Sequence, residues 1–221
     1  MKYNELEKYL FEISDEKFAT FSKSLSNSEY ISIGVKNPVI KSLVKEHKDD
    51  EELQLEDFKL GKYLEIDLFY ISLGLIREKD IKKQFEFLDQ NIKFAKSWAV
   101  TDCVTSYLKK YDFDLYYQFF KKNYDSKYTY KRRISYVLGL KLRSDKNILK
   151  IIPLIKENEE YMVMMAEAWL LSCIAIEFED EVFEFLKKTN DIKLKRKTIS
   201  KICDSFRYSD SSKNRFKGLR N

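Results

Sequence analysis

With 221 residues, 35% of them charged and 44% hydrophobic, and a formal net charge of +5, the chain is long enough to bury one ordinary core and too apolar to remain disordered. Five glycines and two prolines supply too little turn chemistry for a sandwich or barrel of many short strands. Three dispersed cysteines (Cys103, Cys173, Cys203) and one histidine, His47, exclude a disulfide framework, a histidine-based triad and a His-rich metal centre; no metal or cofactor is expected.

Helical periodicity governs the chain from its start. Tyr3, Leu6, Leu10 and Ile13 step by three and four and predict a first helix, closed near Ser14-Asp15. Asp15 introduces a second, carrying Phe18, Phe21 and Leu25. Asn37 and Pro38 suit the N-cap and first position of a third, whose stripe is Val39, Ile40, Leu43 and Val44. Further helices are predicted over 51–58, 63–76, 78–88, 97–109, 112–122, 129–143, 146–157, 161–176, 180–188 and 194–206, with a last turn after Ser209. No alternating strand pattern exceeds four residues. The apolar run from Met162 to Ile176 contains Glu167 and Ser172 and is too short to span a bilayer. The charged opening, Met1 to Lys8, does not read as a secretory signal, so a cytoplasmic location away from membranes is expected. Paired helices recurring every 30 to 40 residues predict an all-α fold, an α-solenoid formed by residues 1–221 as a single repeat domain, and a monomer.

Charge is unevenly spread. Residues 121–150 hold ten lysines and arginines against Asp125 and Asp145, and residues 187–221 hold twelve against Asp191, Asp204 and Asp210. These stretches carry +8 and +9, leaving the remainder strongly acidic. Tyr124, Tyr128, Tyr130, Tyr136, Phe206 and Tyr208 interleave with the cations. Concentrated positive charge on a stacked-helix protein is the electrostatic footprint of a nucleic-acid binder; the other reading is a lysine-rich solvated face over core tyrosines.

The chain has only two tryptophans. In Lys96-Ser97-Trp98-Ala99-Val100-Thr101-Asp102 the first precedes a carboxylate by four residues, so Trp98 and Asp102 share a helix face. An indole attracts cations, a carboxylate stabilises developing positive charge, and an arginine such as Arg132 grips phosphate bidentately. Together these groups suit a cationic ligand attached to phosphates, such as a purine alkylated at N3 or N7 within DNA. The same spacing also fits a core tryptophan and a solvated or capping aspartate. Trp169, in an almost wholly apolar helix, reads as core.

These residues resemble the AlkD-like DNA alkylation repair family, built from HEAT-like helical repeats. The likeness runs from about residue 1 to 219. It is carried by Ile33-Gly34-Val35-Lys36-Asn37-Pro38, by Ser97-Trp98-Ala99-Val100-Thr101-Asp102 and by Tyr128-Thr129-Tyr130-Lys131-Arg132-Arg133. Further on it is carried by the stretch from Tyr161 to Trp169, by Thr198-Ile199-Ser200-Lys201, and by Ser205-Phe206-Arg207-Tyr208-Ser209. The resemblance implies a superhelix with a basic concave surface for double-stranded DNA. It further implies an active group of Trp98, Asp102, Arg132 and Trp169 that releases cationic N3- or N7-alkylpurines as a monofunctional glycosylase. Lys36, Lys96, Lys131, Arg132, Arg133, Lys201 and Arg207 are the matching DNA contacts. Family glycosylases look to carry another arginine one turn after the second tryptophan, where this chain has Ser172, and an N-terminal cleft aromatic, for which Phe21 is the candidate. The Met-Met-x-x-x-Trp form of that helix is similar to a subgroup whose glycosylase activity is not established. A non-catalytic scaffold that binds DNA or protein is therefore the alternative.

Overall fold

The structure, a computed structural model, describes residues 1–26, 29–157 and 160–220. It divides into two compact units, Met1–Tyr111 and Asp112–Asn221. The described residues are all-α, with one isolated bridge, Ile31 to Tyr63, as their only β pairing. No helix among them is long and apolar enough to cross a membrane.

The first unit holds α1 (Tyr3–Glu12), α2 (Glu16–Ser26), α3 (Asn37–Glu46), α4 (Leu64–Arg77), α5 (Ile81–Asn91) and α6 (Trp98–Val104). Central among them is α4, which packs against α3, α5 and α6 and is buried almost from end to end. Its Ile66, Phe69, Ile71 and Leu73 are fully enclosed with Leu6, Leu10, Ile40 and Val44 from neighbouring helices. Solvent-shy residues on every side explain why α4 reads as apolar rather than as a clean stripe.

The second unit holds α7 (Phe113–Asn123), α8 (Thr129–Gly139), α9 (Tyr161–Ile174), α10 (Glu179–Lys188), α11 (Ile192–Asp204) and α12 (Asp210–Lys217). Here α9 is the enclosed helix, packed on α8, α10 and α11. The Phe120 ring meets Tyr136 edge-on at 5.3 Å and stacks on Tyr124 at 5.2 Å, joining α7 to α8. Gly139, the last residue of α8, leaves no room for a side chain: a Cβ there would lie 2.7 Å from Tyr116 Oη and 2.9 Å from Leu170.

Several expected helices are shorter than their periodicity. Over 51–58 there are only turns and a 3₁₀ segment, Leu55–Asp57. There the Arg77 guanidinium donates to the Leu53 carbonyl at 2.7 Å and, just before the stretch, to those of Lys48, Asp50 and His47 at 2.8, 2.6 and 3.3 Å. These carbonyls form a clamp around the guanidinium, those of His47 and Asp50 also accepting turn bonds from Asp50 N and Leu53 N. The 146–157 stretch is a 3₁₀ run, Lys146–Leu154; it contains Pro153, which has no N–H to give and crowds the preceding turn of an α-helix. Similarly, 97–109 and 129–143 are α-helical only to Val104 and Gly139, continuing as 3₁₀ turns Thr105–Tyr107 and Leu140–Leu142. Asn37 is the first residue of α3, whose N-cap is Lys36, and the Asn37 amide donates to Cys103 Sγ at 3.1 Å. Asp15, just before α2, accepts from Phe18 N at 3.0 Å. All three cysteines are free.

Candidate functional site

Glu65 on α4 holds the Ile33–Pro38 motif, and Asp67, two residues on, holds the neighbouring Tyr30 and Gly61. Glu65 accepts from Ser32 Oγ, Ile33 N and Gly34 N at 2.8, 2.8 and 3.0 Å. Asp67 accepts from Tyr30 Oη at 2.6 Å and from Gly61 N at 2.9 Å. Both lie in the first turn of α4, where the helix dipole favours negative charge. Gly34 is needed at φ +97°, since a Cβ would fall 2.2 Å from the Asp15 carbonyl oxygen. Burial pushes the Asp67 carboxyl up to about 6, against the pull of the Tyr30 and Gly61 hydrogen bonds and nearby Lys96. Sequence reasoning passed over these acids. Their signal was two carboxylates two apart in an apolar helix, Leu64-Glu65-Ile66-Asp67-Leu68.

Within the same unit α6 presents Trp98 and Asp102. Ser97 caps the helix, accepting from Ala99 N at 3.2 Å. Trp98 is half-buried, and its Nε1 donates to the Leu25 carbonyl of α2 at 3.4 Å. Asp102 is half-buried too, and Thr101 Oγ1 lies within donating distance of its Oδ1 at 3.0 Å and of the Trp98 carbonyl at 2.9 Å. The carboxylate is thus oriented on a rigid helix while keeping access to solvent. Trp98 is thus more open than a core residue, and Asp102 remains a solvent-reached carboxylate. Phe21 is 55% exposed on α2, 6.3 Å from Phe18. Lys36 is exposed, 5.9 Å from the Phe18 ring centre, and Lys96 Nζ sits 3.5 Å from Glu29.

In the second unit Arg132 and Arg133 part company. Arg132 is half-buried, its Nη2 3.8 Å from Glu160 Oε1, and it lines a cavity of about 290 Å³ with Tyr124, Tyr136, Lys156 and Glu167. Arg133 is only 5% exposed and its Nη1 donates to the Met162 carbonyl at 2.5 Å. Its guanidinium ties α8 to α9, which corrects its expected place among the phosphate contacts. Lys131 and Lys201 are half-buried and Arg207 is exposed. Fully buried Glu167 lies beside Tyr136, whose phenol is pushed up by burial and by the adjoining carboxylate.

Trp169 overturns its apolar context. It is 36% exposed on a helix whose Val163, Ala166, Leu170 and Ile174 are enclosed. One turn on, Ser172 is 7% exposed; its hydroxyl donates to the Trp169 carbonyl at 2.8 Å and its own carbonyl accepts from Tyr208 Oη at 2.5 Å. A small residue fits that enclosed position.

The fold defines a class, the all-α helical-repeat proteins. More narrowly, the sequence model described as "DNA alkylation repair enzyme" matches residues 6–202, and the chain belongs to that family. A solved structure titled a predicted DNA alkylation repair enzyme from Enterococcus faecalis is similar at TM-score 0.65 and 18% identity, covering 87% of this chain and 98% of that one. At that identity the likeness shows the fold. The comparison with curated proteins gives no match.

Proposed function

We propose that the protein binds duplex DNA and hydrolyses the N-glycosidic bond of cationic N3- or N7-alkylpurines. The observation that supports this most is α6: a capped helix offering a half-exposed indole and, four residues on, a solvent-reached carboxylate oriented by Thr101. An alkylpurine cation is already a good leaving group, so its departure needs no further protonation. As the bond to the sugar C1′ breaks, its electron pair neutralises the base and positive charge collects on the sugar. Asp102 opposes that charge in the transition state more than in the ground state, which is where binding energy accelerates the reaction. Water then adds to C1′ and releases a proton. Trp98 contributes its face to the cation and its edge to the strand. Lys131 and Arg132, with Lys36, Lys96, Lys201 and Arg207, are the phosphate contacts, and Trp169 gives DNA a second aromatic surface. The protein acts as a monomer.

The test is release of free base from DNA containing 7-methylguanine or 3-methyladenine. Asp102→Asn retains shape and hydrogen bonding without charge, and is expected to abolish release while leaving DNA affinity within a few-fold. Full activity in that variant refutes the charge argument.

Ser172 favours a second reading, a non-catalytic DNA-binding scaffold. It stands where family glycosylases look to have arginine, and its surroundings are closed by Tyr208. Tight DNA binding with no base release by the unaltered protein supports this alternative.

A further inference from the structure

The loop after α11 carries a feature the proposed reaction does not use. Phe206 is fully exposed, the most exposed large hydrophobic residue described. A ring wholly in water forgoes the burial that normally stabilises a phenylalanine. The loop is nonetheless well held: Arg207 N donates to Ser205 Oγ at 3.2 Å, and buried Tyr208 is bonded through its hydroxyl to Ser172 of α9. Phe206 is therefore presented on a fixed turn.

Cations surround that turn. Arg207 is its next residue, Lys201 stands on α11, and Arg143 follows the 3₁₀ segment that packs on α9. All three lie near enough to the Cys173 thiol of α9 for their charge to oppose the upward push of its burial. Among the acids, Glu179 and Asp180 are engaged by Arg215 at 3.0 and 2.6 Å, while Asp204 and Asp210, exposed on either side of the turn, offset part of its positive charge. Trp169 adds a second exposed ring on the α9 stripe shared with Ser172 and Cys173.

We infer that the 205–208 turn extends the proposed DNA surface to unpaired nucleotides: Phe206 stacks on an unpaired base while Lys201 and Arg207, already among the proposed phosphate contacts, and Arg143 hold the flanking phosphates. The inference rests on the reading that the chain works on DNA. Stacking platforms set among cations are what single-stranded nucleic acid requires, since each base has a face to cover and each linkage a charge to neutralise. In intact duplex the base faces are already covered by one another. A gap, overhang or extruded nucleotide leaves one free, and the apolar ring then gains a partner that none of the described residues provides.

The test compares the full chain on intact duplex with the same duplex carrying a three-nucleotide gap, at low salt. The unaltered protein is expected to prefer the gapped DNA. Phe206→Ala should weaken binding to it by roughly ten-fold, within the loss expected for one base–aromatic stack, with affinity for intact duplex and Tm unchanged. Phe206→Trp should retain affinity and add tryptophan emission, above that of Trp98 and Trp169, that is quenched by gapped DNA. If the protein binds DNA with no preference for the gap, or Phe206→Ala binds the gapped form as tightly as before, the inference is overturned while the DNA reading stands. If the unaltered protein binds neither DNA, both fall.

Discussion

Asp67 makes the first unit's stability depend on pH in an unusual direction. Its carboxyl is 1% exposed and titrates at about 6 instead of 3.8, so the folded chain keeps this proton where the unfolded chain has lost it. Between those values the unfolded state binds fewer protons, and stability is greatest near pH 4 and declines as pH rises through 6. A separation of about two pH units at 1.36 kcal/mol each makes the decline roughly 3 kcal/mol. Asp67→Asn removes the titration with little rearrangement. The amide oxygen accepts from Gly61 N, while the NH₂ donates to Tyr30 Oη, which turns its hydrogen to the Phe94 carbonyl already 3.0 Å away. Urea unfolding of both proteins at half-unit steps from pH 4 to 7.5 gives the difference in stability directly, cancelling other carboxylates. The variant should gain on the parent as pH rises, by up to about 3 kcal/mol at pH 7.5. A constant difference across the range refutes the reasoning.

Other positions test the remaining assignments. Gly34→Ala meets both a left-handed φ and the Asp15 carbonyl and should cost at least about 2 kcal/mol in urea unfolding, with a lower midpoint at unchanged slope. Trp169→Ala should change stability by less than about 1 kcal/mol because the ring is partly in water, whereas Phe69→Ala, at full burial, should cost about 3–5 kcal/mol by the same assay. Arg132→Ala should reduce the slope of log affinity for duplex DNA against log salt by about 0.9; Arg133→Ala should leave that slope unchanged and lower Tm, since it breaks the bond to Met162. Ser172→Arg places a long cation in an enclosed position beside the group of Arg143, Lys201 and Arg207 and should lower stability by roughly 1–3 kcal/mol in thermal unfolding, unlike a neutral surface exchange.

The sequence by itself determined the helical class, because 3.6-residue spacing of apolar side chains with sparse glycine and proline leaves no stable alternative. It also determined the order of the elements and the family motifs, including the shared face of Trp98 and Asp102 on α6, which depends only on local geometry. Only tertiary structure separated two adjacent arginines: Arg132 and Arg133 look alike in the chain, and the packing of α8 on α9 buries the second while the first stays half-buried at a cavity. The same packing exposed Trp169 in a helix whose composition predicted core, since composition averages over all sides of α9 while exposure depends on the one side its neighbours leave open. Likewise the 51–58 stretch has helical spacing, yet it forms turns and a 3₁₀ segment beside Arg77 of α4, whose guanidinium takes the Leu53 carbonyl. Periodicity reports what a segment can bury; the partners brought to it from distant positions decide whether its polar groups are satisfied along the helix or across it.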